Sequence, residues 1–357
     1  MRTRLTLFLG IFTVMALSNA IVPVLPSYDA GSSLQGLIYA AYFLGAFVIT
    51  LPAGILSDRF GRIPIIRLGL AVTVTSGLFL AMTSSAVPVI ALRFTEGIGA
   101  GLFVAAAMAA VNRDPDHLRM SGWFMAWQNA GLVLGLVLAG WLAVNMQAPA
   151  AGILLYALVA FIPAAGAFFV SEEVARQESY EPETVTGYLR EYNWLWYTSL
   201  VLIGITGVMT SLYPEFSGVS YSTVGSWIAG MSIATIAAVI VCSRTRFPPV
   251  PVFRWSALLM AAAVILSFFT PAGLIAIGAL AGVVMFAVMA YLAHIREHQG
   301  IVMGLFATTG YLGMAILPAI AGFVAEGTGF FVAFCFTAGC AVTVALAVSR
   351  SFYGSDW

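Results

Sequence analysis

Lysine is absent from this chain. All fifteen basic residues are arginine, balanced by fifteen acidic residues, and only 8% of the 357 residues carry a charge. Soluble globular domains carry about 25% charge. With 61% hydrophobic residues and a mean hydropathy of +0.99, the composition excludes that class and leaves an integral membrane protein. The zero net charge removes any general electrostatic attraction to nucleic acid or anionic surfaces. Cysteine is scarce too. Cys242, Cys335 and Cys340 all fall inside apolar runs and form no CxxC pair, which excludes a disulfide framework and a thiolate metal site and leaves them as small apolar fillers. His294 and His298 stand four apart, but no cysteine or clustered carboxylate is at hand to complete a metal site. No metal and no cofactor are expected. Neither a catalytic constellation nor a soluble domain is visible, so an enzyme is not expected either.

What the chain does have is long hydrophobic runs. Twelve are long enough, at about 17 to 25 residues, to cross a bilayer core as helices. Their approximate limits are 5 to 25, 32 to 55, 64 to 83, 87 to 111, 120 to 144, 150 to 170, 194 to 213, 222 to 242, 252 to 269, 272 to 292, 300 to 324 and 327 to 349. The first follows Met1-Arg2-Thr3-Arg4 and exceeds the 7 to 15 residues, roughly, of a signal-peptide core, so it reads as a span. With the N-terminus inside, every arginine except Arg93 falls in a cytoplasmic segment or at its edge, as the positive-inside rule requires. Both termini are therefore expected on the cytoplasmic side of the cell membrane. The longest polar interval, Ser171 to Asn193, is acidic and divides the spans six and six. It reads as a cytoplasmic linker between an N-terminal bundle, 1–170, and a C-terminal bundle, 194–357.

The halves look duplicated. Gly122, Gly131 and Gly140 in the fifth span align at one offset with Gly304, Gly313 and Gly322 in the eleventh. Arg59-Phe60, Pro64 and Arg67 match Arg246-Phe247, Pro251 and Arg254, although Thr245 stands opposite Asp58. The segment Gly54-Ile55-Leu56-Ser57-Asp58-Arg59-Phe60-Gly61-Arg62 thus places an acid and two arginines in a short connection found in the first half only. There Gly54 and Gly61 permit close helix approach and a tight turn, and Asp58 can lie against the positive end of a neighbouring helix.

Twelve spans in two six-span repeats, with this nine-residue segment between spans two and three, resemble the major facilitator superfamily over nearly the whole chain. Within it, Pro23-Val24-Leu25-Pro26 ending span one, Arg93 with Gly97 in span four and the glycine-rich fifth span resemble the drug:proton antiporter branch. Gly135 is followed by Leu136, where that branch usually carries a Gly-Pro pair. The resemblance implies an all-α membrane fold of twelve helices in two six-helix bundles that works as a monomer by alternating access. Its partners would be a small-molecule substrate, protons and the lipid bilayer, and no nucleic acid. A Walker-type glycine loop is absent, so an ion gradient rather than ATP is the expected driving force. The resemblance further implies that Gly54, Asp58, Arg59, Gly61 and Arg62 latch the cytoplasmic side, with Asp114 or Asp116 as acidic partner.

Arg93 and Glu96 are the other deep charges. Each costs about 2.5 to 3.5 kcal/mol at a helix centre, so both should face a protein interior or a water-filled cavity. Spaced three apart, they share a helix face and can pair. The titration of Glu96 should then depend on whether water, substrate or a moved helix intervenes, which is the property that proton coupling requires. A structural ion pair locking span four is the plainer reading. Asn19, Tyr39, Gln128, Asn129, Thr210, Tyr213, Met285 and Met289 are candidate cavity-lining residues, although helix packing would occupy such side chains equally well. The function expected from these residues is proton-coupled efflux of a small amphipathic or hydrophobic compound. The alternative is an importer or exchanger whose Arg93 holds an anionic metabolite.

Overall fold

In a chain this apolar the backbone groups must be satisfied within each segment, and the α-helix is the solution open to a single run. The computed structural model describes residues 2–28, 31–112, 117–170, 182–244, 249–292 and 299–351, which form fourteen α-helices and one short 3-10 helix, with no strand among the described residues. In chain order they are α1 (Arg2–Ala20), the 3-10 segment (Val22–Tyr28), α2 (Ser32–Phe60), α3 (Arg62–Ala81), α4 (Ala86–Asn112), α5 (His117–Asn145), α6 (Ala151–Val159) and α7 (Phe161–Phe168). There follow α8 (Pro182–Glu191), α9 (Asn193–Ser217), α10 (Tyr221–Cys242), α11 (Pro249–Phe269), α12 (Ala272–Leu292), α13 (Gln299–Thr328) and α14 (Phe330–Ser351). They supply twelve segments long and apolar enough to cross a membrane, as the hydropathy of the sequence indicates. Hydroxyls inside these helices bond back to carbonyls three or four residues earlier, as Thr13 does to Leu9 at 2.9 Å and Ser76 to Val72 at 2.7 Å.

Proline sets three details that run length alone does not show. The sixth span is broken at Ala160 into α6 and α7, because Pro163 has no N–H for the carbonyl of Val159. Pro23 and Pro26 turn the end of the first span into the 3-10 segment, which carries Tyr28 at its end. Pro182 opens α8 at a helical first position, where its missing donor costs nothing, so the linker is partly helical. Trp196 ties α8 to α9 by donating from its indole N–H to the carbonyl of Tyr188 at 3.0 Å.

The chain forms two compact units. The first comprises Met1–Ala30, Ile38–Glu178 and Ser217–Ala229, and the second Gly31–Leu37, Ser179–Phe216 and Gly230–Trp357. In the first, α1 packs on α5 and α3 on α4, around a core that includes Ile11, Ile66, Leu70, Phe103 and Phe124. In the second, α11 packs on both α12 and α14.

The three glycine pairs aligned in the sequence occupy matching surroundings, each within its own unit. A Cβ added at Gly122 or at Gly304 would meet nothing within 4 Å. At Gly131 it would lie 2.3 Å from the carbonyl oxygen of Phe12 in α1, and at Gly313 2.0 Å from that of Leu200 in α9. At Gly140 it would lie 2.4 Å from the carbonyl oxygen of Tyr221, and at Gly322 2.5 Å from that of Ser32. Small residues at such points let helix backbones touch, which is how helices associate when lipid removes the hydrophobic drive.

Arginine has a structural use in the first unit. Arg67 of α3 donates from Nε to the carbonyl of Ala167 at 2.9 Å and from Nη2 to those of Phe168 at 3.3 Å and Val170 at 2.8 Å. Its guanidinium also lies over the Phe168 ring, 5.4 Å from the centroid. These bonds serve carbonyls at and just beyond the end of α7, where that of Ala167 also accepts the Val170 N–H at 3.4 Å.

Candidate functional site

Three glycines of α4 set the position of its charges. Gly97 faces α2 so closely that a Cβ would lie 1.9 Å from the carbonyl oxygen of Tyr42, and Gly101 meets Ile49 of the same helix. Gly99 faces α3, where a Cβ would lie 2.8 Å from the backbone nitrogen of Thr73. The helix is thereby clamped on two sides, and its Arg93 and Glu96 are sealed in, both at 0% exposure.

Within this seal the two side chains pair, one helical turn apart, with Nη1 of Arg93 donating to Oε2 of Glu96 at 2.7 Å. The Tyr42 ring covers the guanidinium, with Cζ 4.6 Å from the centroid, an arrangement worth about 2 kcal/mol when desolvated. Nε of Arg93 and Oε1 of Glu96 find no hydrogen-bond partner among the described residues. A buried pair missing part of its hydrogen bonding is a poor source of stability, because desolvation consumes much of the Coulomb gain. Tyr28, brought up by the 3-10 segment, lies within the electrostatic reach of both charges. Tyr28 and Tyr42 had no signal in the sequence, since an aromatic in an apolar run is indistinguishable from packing until the helices are placed.

The other candidates are largely occupied by protein bonds. In the first unit, Asn19 donates from Nδ2 to the carbonyl of Leu132 in α5 at 3.2 Å, and Asn129 to that of Met125 in its own helix at 2.8 Å. Tyr39 is buried with its ring 5.0 Å from that of Phe43, and Gln128 is half-buried. In the second unit, Thr210 bonds back to the carbonyl of Thr206 at 2.7 Å, and the Tyr213 hydroxyl donates to that of Ser267 at 3.3 Å. Met285 and Met289 are half-buried in α12. A groove of about 270 Å³ between α3 and α4, lined by Val72, Phe79, Leu92 and Thr95 among others, contains none of these candidates.

The segment between α2 and α3 is partly visible. Gly61 adopts φ 91°, a left-handed value that a side chain would strain, and so supplies the turn between the two helices. Arg62 follows at the start of α3 and is buried at 3% exposure, whereas Arg59 is exposed, with its guanidinium 5.4 Å from the Phe60 ring centroid. Gly54 is the exception to close approach, since a Cβ there would meet nothing within 4 Å. The Asp58 side chain lies outside the described residues, as do Asp114, Asp116, His294 and His298.

Comparison with known proteins agrees with this arrangement of helices. The nucleoside transporter NupG superposes with a TM-score of 0.74 at 13% identity, covering 99% of this chain and 100% of that one. A bacterial homologue of the human lysosomal transporter Spinster, in an inward-facing and occupied conformation, gives 0.81 at 15% identity over 100% and 97%. The human organic anion transporter TETRAN gives 0.72 at 18% identity over 97% and 99%. At such identities the likeness speaks for the fold alone. No curated protein matches the chain in sequence. The sequence profile of the Major Facilitator Superfamily matches residues 7–243, and with twelve segments long and apolar enough to cross a membrane the chain belongs to that superfamily of multi-pass membrane transporters.

Proposed function

We propose that the protein is a secondary active transporter of the drug:proton antiporter type, exporting a small amphipathic or hydrophobic compound from the cell in exchange for protons. The observation that carries this reading is the Arg93–Glu96 pair, sealed at 0% exposure with one acceptor and one donor atom unused. Two charges that contribute little stability are costly to keep inside a membrane helix, and such residues are functional candidates by default. Glu96 carries the proton. Arg93, itself covered by Tyr42, holds its carboxylate in one environment, which changes when the six-helix bundles, 1–170 and 194–357, rock to expose the other side of the membrane. Asn19, Tyr39, Gln128, Asn129, Thr210 and Tyr213 border the substrate path only in states where their present partners are exchanged. An anion bound by Arg93 is the weaker reading, because the guanidinium is already held by a carboxylate on one side and an aromatic face on the other.

The test is transport in reconstituted liposomes. With an imposed pH gradient, uptake of a cationic amphipathic dye into vesicles that are acidic inside should run well above that of protein-free vesicles, and collapse of the gradient by a protonophore should stop it. Dye movement indifferent to the gradient would remove proton coupling.

At the other end of α2 we assign the latch to Asp58, Arg59 and Arg62 with Asp114 or Asp116, on the cytoplasmic face. Gly54, open in this state, is the surface against which another helix closes. Replacing Asp58→Asn is expected to leave insertion and thermal stability unchanged while slowing turnover roughly tenfold, equivalent to about 1.4 kcal/mol. Unaltered turnover in that variant would take the latch out of the cycle.

A further inference from the structure

The two units each receive the first turns of a helix whose remainder belongs to the other unit, and they hold them in different ways. In the first unit the start of α10 rests on α5 at Gly140 and caps itself, with Ser220 Oγ 2.8 Å from the Thr223 hydroxyl and 3.4 Å from its backbone N–H. In the second unit the start of α2, residues 31–37, rests on α13, where a Cβ on Gly36 would lie 2.5 Å from the carbonyl oxygen of Pro318 and one on Gly322 2.5 Å from that of Ser32. Its cap comes from elsewhere. The backbone N–H of Ser33 donates to Oε2 of Glu326 in α13 at 3.1 Å, the Ser33 hydroxyl donates to the same oxygen, and the Ser32 hydroxyl donates to Oε2 of Glu215 in α9 at 2.8 Å. A side chain on Gly31 would run into the Glu326 carboxylate, 2.9 Å from its Oε2.

Glu215 stands on a firm base. Phe216, next to Glu215, packs its ring within 5.0 to 5.5 Å of Phe268, Phe330 and Phe334, a cluster that joins the ends of α9 and α11 to the start of α14. On one side of the contact are two acids, Glu215 beside the aromatic cluster at the end of α9 and Glu326 on α13. On the other is a helix end that passes from the second unit to the first between Leu37 and Ile38. We infer that Glu326 and Glu215 form a releasable clasp, in which both acids dock the start of α2 and the bond from the Ser33 N–H to Glu326 also caps its N-terminus. The self-capped start of α10 can leave its seat with its cap intact. The start of α2 cannot, so undocking and fraying of residues 31–37 occur together, and the two acids set how often. The clasp lies at the end of α2 opposite Asp58 and does not depend on the proton-coupling role of Glu96.

Hydrogen–deuterium exchange of the purified full chain at one pH tests it. In the wild-type protein the amides of 33–37 should exchange faster than those of 93–103 in α4. Glu326→Gln should accelerate the 33–37 segment about tenfold and leave α3 and α4 unchanged. Ser33→Ala, which keeps the carboxylate, should give a smaller acceleration in the same place, and serves if the glutamine variant does not fold. Exchange at 33–37 that is unaltered in either folded variant, or acceleration spread evenly over all helices, would overturn the clasp.

Discussion

Glu96→Gln is expected to reduce pH-driven transport to the leak of protein-free vesicles while leaving substrate binding, and exchange of substrate across the membrane without a gradient, in place. Glutamine keeps the size of the side chain and an oxygen to accept from Arg93 beneath Tyr42, while the ability to take up a proton is lost. The cost is a guanidinium left without a counter-charge, which should show as lowered thermal stability of the folded variant. Measured proton uptake coupled to dye movement is the deciding quantity, and its persistence in the variant would eliminate Glu96 as the carrier. The reciprocal change separates coupling from structure. Arg93→Leu strips a buried carboxylate of its partner, which should cost about 3 to 5 kcal/mol and appear as a large drop in thermal stability in detergent. The double variant Arg93→Leu with Glu96→Gln should recover much of that loss without recovering coupling, since it leaves no uncompensated charge in the interior.

Gly97→Ala should be the most damaging single methyl group in the first unit. Its Cβ would stand 1.9 Å from a backbone oxygen, that of Tyr42, and backbone cannot swing aside as a side-chain tip can. Either α2 and α4 separate along their seam or the Tyr42 ring leaves the guanidinium. Overpacking of this kind costs about 1 to 3 kcal/mol, and more where both sides are rigid. Folded yield by fluorescence size-exclusion chromatography should fall sharply. Gly122→Ala provides the control, because the added methyl group meets nothing within 4 Å and replaces the most flexible residue in a helix, a change worth roughly 0.5 to 1 kcal/mol in favour of folding. Equal yields from the two variants would show that the α2–α4 seam is looser than its geometry implies.

How far the sequence reaches is clear from these positions. The twelve spans are legible because a membrane imposes one length and one composition on each. The glycine offset between spans five and eleven is legible because close backbone contact requires the smallest residue at two of its three pairs, Gly131 with Gly313 and Gly140 with Gly322, whereas Gly122 and Gly304 both face open space. The pairing of Arg93 with Glu96 follows from helical spacing and the cost of burying either alone. What touches the pair does not follow. Tyr42 reaches Arg93 across the α2–α4 crossing, and its ring is one of many in apolar runs, so no periodicity distinguishes it. No spacing in the sequence links Glu215 to Ser32, because the bond between them spans 183 residues. The breaks at Ala160 and Val22 are local effects of proline inside runs whose hydropathy is continuous.

The three carbonyls gathered by Arg67 bear on the missing lysine. A rule that counts positive charges at the cytoplasmic face is indifferent to which cation supplies them. Here Nε reaches one oxygen and Nη2 two others while the flat face of the group rests on Phe168, a division of labour that an ammonium at the tip of a flexible stem cannot reproduce. A lysine at this position could serve one of these oxygens at a time, and the end of α7 would lose the fixed bracket that now holds residues 167–170 against α3.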